Sequence, residues 1–256
     1  GSGESGLVAV GGAIPVGYYK DEVKSAQTFR MFEGRRWTVP GDWAEVNEDG
    51  TLHLLGRGSV CINTGGEKVF PEEVEDAIHA LGGTSTIAPL DLTEPEAVSR
   101  LAAAIGGRWP QLDIMVLAAA YLPELTPASQ MEPKQFNQAL LTNLVSAQAM
   151  IAGFDTMLRN AEAGRVIGLT SSLGSAPRAY WGAYGATKAA FENLLETYGA
   201  EVEKLSRLRV AIIDPGATRT EMRARAFPGE DPQTVKPPEQ VAARIVALLA
   251  NGFSAL

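Results

Sequence analysis

One cysteine, Cys61, stands in 256 residues, so the chain makes no internal disulfide and no cysteine-based zinc cluster. The two histidines, His53 and His79, are isolated and give no metal-ligand spacing, so no metal site is expected. Basic residues are in deficit: 22 Lys and Arg against 30 Asp and Glu leave a net charge of −8. That balance argues against a sequence-independent grip on nucleic acid or on an anionic membrane. No apolar run approaches the ~18 residues of a membrane span, and the opening residues show no charged-then-apolar leader. A cytoplasmic chain is the expectation. What is present is ordinary for a protein with a core: 45% hydrophobic and 20% charged residues.

The two ends of the chain differ in rhythm. Residues 1–70 read as a β-rich segment of short runs, Gly6–Val10, Arg36–Val39, Trp43–Val46 and Leu52–Leu55, divided by glycine and Pro-Gly breaks. Asn47–Gly50 is a hairpin signal, and Thr64–Gly66 marks a second tight turn. From Pro71 the pattern becomes alternating helix and strand. Pro71 and the acidic residues Glu72, Glu73 and Glu75 suit a helix N-terminus, and Gly82-Gly83 ends that helix. Strands are predicted at 84–90, 112–118, 165–170 and 207–213. Helices are predicted at 94–105, 132–159, 181–205 and 238–250. Apolar strands separated by helices imply an α/β fold, a parallel sheet with helices on both faces.

Tyr184 and Lys188 stand four residues apart near the start of a predicted helix, which puts phenol and ammonium on one face. A cation beside a phenol favours the phenolate and would lower its pKa, as a general acid/base requires. Ser171 closes the strand thirteen residues before Tyr184, and Asn143 lies 41 residues before it inside an otherwise apolar helix. After the last predicted strand comes the turn Asp214-Pro215-Gly216-Ala217-Thr218-Arg219-Thr220. Active groups gather at the carboxyl ends of strands in sheets of this kind.

Asn143, Ser171, Tyr184 and Lys188 with the following Pro-Gly turn resemble the short-chain dehydrogenase/reductase family, over about residues 81–256. The resemblance implies a Rossmann-like fold and a cofactor, NAD or NADP. It implies Tyr184 as acid/base and Lys188 as the cation that lowers its pKa and meets the nicotinamide ribose. Ser171 would orient a substrate carbonyl, and Asn143 would hold a relay water. Asp91 matches the residue at the adenine ring; Pro215, Gly216 and Thr220 match the turn at the nicotinamide carboxamide. The substrate implied is a small carbonyl compound or alcohol, and the helices near 132–159 and 181–205 match a pair that forms homo-oligomers.

Three departures accompany that resemblance. No T-G-x-x-x-G-x-G motif precedes Asp91, so the first two strands and the pyrophosphate loop are not recognisable. Ala118-Ala119-Ala120 replaces the family's Asn-Ala-Gly, and the last strand is likewise not recognisable. In the implied sheet order, 3-2-1-4-5-6-7, the loss opens a gap at the centre. Unpaired buried amides cost about 1–3 kcal/mol each, so residues 1–80 are expected to fill the gap, or the sheet to rearrange.

Residues 3–80 resemble another family, the acyl-CoA synthetases among the adenylate-forming enzymes. The resemblance rests on Gly3–Gly6, Gly17–Lys20, Gly41-Asp42, Asp49-Gly50, Gly56-Arg57 and the run from Ile62 to Val69 before Pro71–Glu75. It implies that Asp42 matches the residue holding adenylate ribose and Arg57 the interdomain hinge, with Gly65 and Gly66 near a pantetheine tunnel. The synthetases' phosphate loop, aromatic-Gly-x-Thr-Glu block and C-terminal lysine have no counterparts here. Asp42 and Arg57 therefore read as relics. The chain reads as a chimera, natural or engineered: a synthetase-like segment over 1–70, a shared junction helix over 71–81 and a reductase-like domain over 82–256.

Overall fold

The computed structural model describes residues 5–47, 49–57, 62–63, 68–69, 78, 82–86, 88 and 90–253. They group into two units, one within residues 1–89 and one whose described part begins at Leu90.

The first unit is built from short strands. β1 (Ser5–Leu7), β4 (Asp42–Val46) and β5 (Leu52–Arg57) form an antiparallel sheet in the order β1-β4-β5. The Asn47–Gly50 turn joins β4 to β5 as its sequence predicts, with Gly50 N donating to Asn47 O at 2.9 Å. β2 (Phe29–Phe32) pairs with β3 (Arg35–Thr38), and β6 (Ile62–Asn63) pairs with β7 (Lys68–Val69). The second tight turn predicted between them, with Gly65 and Gly66, lies outside the described residues, as do Cys61 and His79.

Two elements of this unit are additional to the sequence reading, β2 and a short helix. α1 (Glu22–Thr28) is a seven-residue helix whose N-cap, Asp21, accepts a hydrogen bond from Lys24 N at 2.9 Å. Most of the junction helix, 71–77 and 79–81, is outside the described residues. Its predicted end is visible: Gly82 adopts φ +76° and Gly83 N donates to Ile78 O at 3.0 Å. A glycine in the left-handed region followed by such a bond is how a helix C-terminus satisfies its last carbonyls.

In the second unit β8 (Ile114–Leu117), β9 (Arg165–Leu169) and β10 (Arg209–Ile213) form a parallel sheet with β9 in the middle. Helices connect the strands, as a parallel sheet demands: α2 (Pro95–Gly106) leads into β8, and α5 (Gly182–Glu203) joins β9 to β10. α6 (Glu221–Ala226) and α7 (Pro238–Ala250) follow β10. The long helix predicted over 132–159 is present but not uniform. α3 (Pro133–Leu140) and α4 (Ser146–Asn160) are joined by one π turn at Leu141–Val145. The core packs Phe154 and Leu158 of α4 against Val166 of β9 and Leu195 and Val202 of α5. Asp155 ties the two helices together, accepting from Tyr198 Oη and from Arg159 Nε, each at 2.7 Å.

One expectation fails here. The described residues between 83 and 90 carry no strand, although one is predicted at 84–90. No strand pairs with it among the described residues, and a lone strand has nothing to bond its backbone to. For the central gap, the described sheet follows the second of the two expected courses: it is not filled, and β8 is the last strand of its sheet among the described residues. The penalty that argued for filling does not arise, because β8 is not buried on both faces. Ile114 and Val116 are 44% and 45% exposed, so water has access to the strand.

Candidate functional site

The carboxyl ends of the three parallel strands open into a cleft of about 540 Å³. Ser171, Tyr184, Lys188, Pro215, Gly216 and Thr220 all line it, so six of the predicted positions converge. Each is delivered by a strand end or by the helix that follows. β9 stops at Leu169, and Ser171 sits two residues on, its Oγ accepting weakly from Leu173 N at 3.4 Å. Tyr184 and Lys188 project from the first two turns of α5 and are both buried.

Lys188 is held by the sheet rather than by the phenol. Its Nζ donates to Leu169 O at 2.8 Å and lies 5.8 Å from the centre of the Tyr184 ring. Burial pulls the ammonium pKa down to about 8, against a smaller opposing pull from Glu192. Glu192 is fixed by a short hydrogen bond from Thr170 Oγ1. For Tyr184 the shift is upward. Burial pushes its pKa up to about 12 and the carboxylate of Asp214 adds to the rise, so the phenol is neutral at pH 7.

The turn after β10 is shaped by its own aspartate. Asp214 accepts from Ser172 N at 2.9 Å and from Gly216 N at 2.8 Å, clamping the loop after β9 to the loop after β10. Gly216 adopts φ +65°, which a side chain would resist. Thr220 caps α6, its Oγ1 accepting from Arg223 N at 3.2 Å. Arg223 in turn forms a two-pronged ion pair with Glu230, both bonds at 2.6 Å, which braces the chain beyond α6.

Asn143 sits behind the cleft, not in its lining, in the middle of the π turn. Only 2% exposed, it makes three hydrogen bonds. Its Oδ1 accepts from Tyr121 N at 2.6 Å, and its Nδ2 donates to Tyr121 O at 3.0 Å and to Thr187 Oγ1 at 2.9 Å. Thr187 Oγ1 then donates to Tyr184 O at 2.8 Å. The polar residue in an apolar helix thus staples the loop after β8 to the helix carrying Tyr184.

Asp91 is not brought to the cleft lining. Its Oδ1 accepts from Thr93 N at 2.8 Å and Thr93 Oγ1 at 2.7 Å, bonds that hold its pKa below the usual carboxylate value. In the first unit Asp42 and Arg57 face each other as partners across β4 and β5. The side chain of Arg57 lies outside the described residues. Among the described residues no three His, Cys, Asp or Glu side chains cluster as metal donors, and no helix is long and apolar enough to cross a membrane.

Sequence reasoning missed two aromatic walls. Trp181 stands edge-on to Tyr184, ring centres 6.0 Å apart, and stacks on Phe227 at 5.7 Å. A tryptophan three residues before the tyrosine was the available signal. Phe227 is 43 residues beyond Tyr184, and nothing local ties it to the site.

The family model for short chain dehydrogenases matches residues 51–231. Oxidoreductase YciK of Escherichia coli is 36% identical over 146 residues, 57% of each chain. Its solved structure superposes with a TM-score of 0.61 at 33% identity, covering 66% of this chain and 70% of that one. A short chain dehydrogenase from Escherichia coli, solved with NADPH, gives a TM-score of 0.63 at 31% identity, covering 68% of this chain and 75% of that one. A different kind of relative also matches. A fatty-acid and 3-oxocholest-4-en-26-oate CoA ligase of Mycobacterium tuberculosis is 50% identical over 108 residues, 42% of this chain. The chain spans only 20% of that ligase's length.

Proposed function

The chain belongs to the short-chain dehydrogenase family, and on that premise we propose that its second unit is an NAD(P)-dependent oxidoreductase acting on a carbonyl compound or secondary alcohol. One observation carries this reading: Ser171, Tyr184 and Lys188 line the same cleft as the Pro215-Gly216 turn, at the carboxyl ends of parallel strands. The YciK likeness and the NADPH-bound neighbour support it.

The nicotinamide end of the cofactor fits the donor set. An ammonium has three N–H donors, and Lys188 gives one to Leu169 O, leaving others for a ribose diol. Thr218 and Thr220 supply hydroxyls beside a glycine that lets a ligand approach the backbone. When bound, the nicotinamide ring supplies or accepts hydride. Tyr184, neutral below about pH 12, then gives its proton to the substrate oxygen, which Ser171 holds by a hydrogen bond. Lys188, charged below about pH 8, stabilises the phenolate left behind. Asn143 is a positioning residue that fixes α5 through Thr187. Self-association, if the chain forms homo-oligomers, belongs to α3–α4 and α5.

The test is hydride transfer to a ketone panel with NADH and NADPH, alongside Tyr184→Phe. Loss of a proton donor costs about 10²–10⁴-fold in turnover, with cofactor affinity within threefold of the parent. Equal turnover by Tyr184→Phe would remove the tyrosine from the reaction.

A second reading has its own observation. The ligase similarity, 50% identity over 108 residues, favours a chimera divided at 1–70, 71–81 and 82–256, in which the reductase residues are inherited scaffold. An adenylate- or CoA-binding fragment built on Asp42 and Arg57 is the weaker form of it. Folded protein that transfers no hydride and binds no nicotinamide would favour this second reading.

A further inference from the structure

We propose that the cleft takes a carbonyl substrate with a carboxylate on a flat apolar body, and that Arg178 is the residue that selects it. The proposal deepens the oxidoreductase reading above and rests on it, because it names the substrate class of the same site. It is carried by a run of contacts within the second unit. Trp181 stands edge-on to Tyr184 and stacks on Phe227, and the guanidinium of Arg178 lies 5.4 Å from the centre of the Phe227 ring. All four residues line the cleft. Aromatic rings therefore lead from the phenol that gives the proton to a permanent positive charge. A cation–π contact leaves the N–H donors of a guanidinium available, and their planar fork matches a carboxylate.

The other charged groups of the lining already have work. Asp214 accepts from the N–H groups of Ser172 and Gly216, and Lys188 is anchored on Leu169 O. Arg223 packs on the same Phe227 ring, at 3.6 Å, but its charge is met by the two-pronged pair with Glu230. Glu221 opens α6, where a carboxylate complements the helix dipole. Arg178 is exposed to the cleft and joins no ion pair among the described residues. Its turn is also held in a costly shape. Trp181 N donates to Arg178 O at 3.2 Å, closing four residues in which Tyr180, third in line, adopts φ +73°. That place ordinarily takes glycine or asparagine. A bulky residue stays there only when its surroundings over-determine the backbone, and such strain collects at ligand clamps. What the turn delivers to the cleft is Arg178 and Trp181 together. The chain's net charge of −8 disfavours anions at long range, so a preference for one requires a local cation.

The test uses the full chain and two ketones, 4-acetylbenzoate and 4′-acetylbiphenyl-4-carboxylate, which set the anion one and two rings from the carbonyl. Each is compared with its carboxamide, which has the same shape and no charge. With NADH or NADPH, kcat/KM for at least one acid should exceed that of its amide by about tenfold, the worth of a charge-assisted hydrogen bond. Arg178→Gln should bring that ratio below about twofold, and Arg178→Lys, which keeps the charge, should retain part of it. Saturation-transfer NMR with NADP⁺ present should show the same preference as binding, whether or not these ketones are reduced. Acids and amides treated alike, or a preference that survives Arg178→Gln unchanged, in protein that binds nicotinamide, would overturn the inference and leave the oxidoreductase reading standing. Folded protein that binds no nicotinamide and prefers neither acid would overturn both.

Discussion

Lys188 carries a cost that its position explains. The ammonium is buried, and its pKa falls from 10.5 to about 8, so the folded state favours the neutral amine relative to the unfolded chain. The sign follows from proton counting. Below pH 8 both states are protonated and the folded state bears the full penalty, about 3 kcal/mol. Between pH 8 and 10.5 the unfolded chain binds more protons, so stability rises with pH and the penalty disappears. Lys188→Met should therefore stabilise the protein at pH 7. After allowance for the lost bond to Leu169 O, the gain is about 1–2 kcal/mol. Urea unfolding at pH 7 and pH 10 should show that advantage shrinking as pH rises. Parallel pH dependence in parent and variant would mean that the ammonium is not the source of the cost. A residue kept despite such a penalty is in keeping with the role proposed for it, since strain of this kind collects at working sites.

Within β8, neighbouring residues occupy opposite environments, and the strand as an element shows what the missing half of the sheet leaves behind. Met115 is in the core, whereas Ile114 and Val116 are nearly half exposed. Met115→Ala should cost about 2–4 kcal/mol. Ile114→Thr with Val116→Thr should together cost less than about 1 kcal/mol, and should reduce self-association through an exposed apolar face. Chemical denaturation and light scattering check the pair; a cost for the threonines equal to that of Met115→Ala would mean that the face is covered after all. Elements whose signals are local were legible. The Asp214-Pro215-Gly216 turn, the Gly82-Gly83 helix end and the amphipathic α7 were all read from neighbouring residues. The strand predicted at 84–90 was misread because its apolar residues are strand-like but it has no pairing partner among the described residues. α1 is too short for periodicity, so only Asp21 could announce it. The pKa of Tyr184 depends on Asp214, thirty residues away, and on burial, which no spacing reveals.

At the scale of the whole molecule the two units differ in how much they bury. The second has a continuous core running from Ala102 to Leu208, with Leu158, Val166, Leu195 and Val202 fully enclosed. In the first, the described buried hydrophobics are Val39 and Ala44, while Val16, Tyr19, Val23, Met31, Leu52 and Leu54 are exposed. Burial of apolar area is the main favourable term in folding, so the described part of the first unit, which encloses so little, is marginal by itself. Opening free energies should follow this division, low in the first unit and near the global value in the second. Thermolysin, which cuts at apolar residues in accessible chain, should therefore cleave within the first unit at low enzyme concentration. It should leave a fragment that begins between about residues 80 and 95 and persists long after the parent has gone, as read by intact mass spectrometry. That fragment would still contain every described residue lining the cleft, so it should bind a nicotinamide cofactor as the full chain does. Simultaneous loss of both units would contradict the argument, because it would require the first unit to draw stability from contacts outside its own small core.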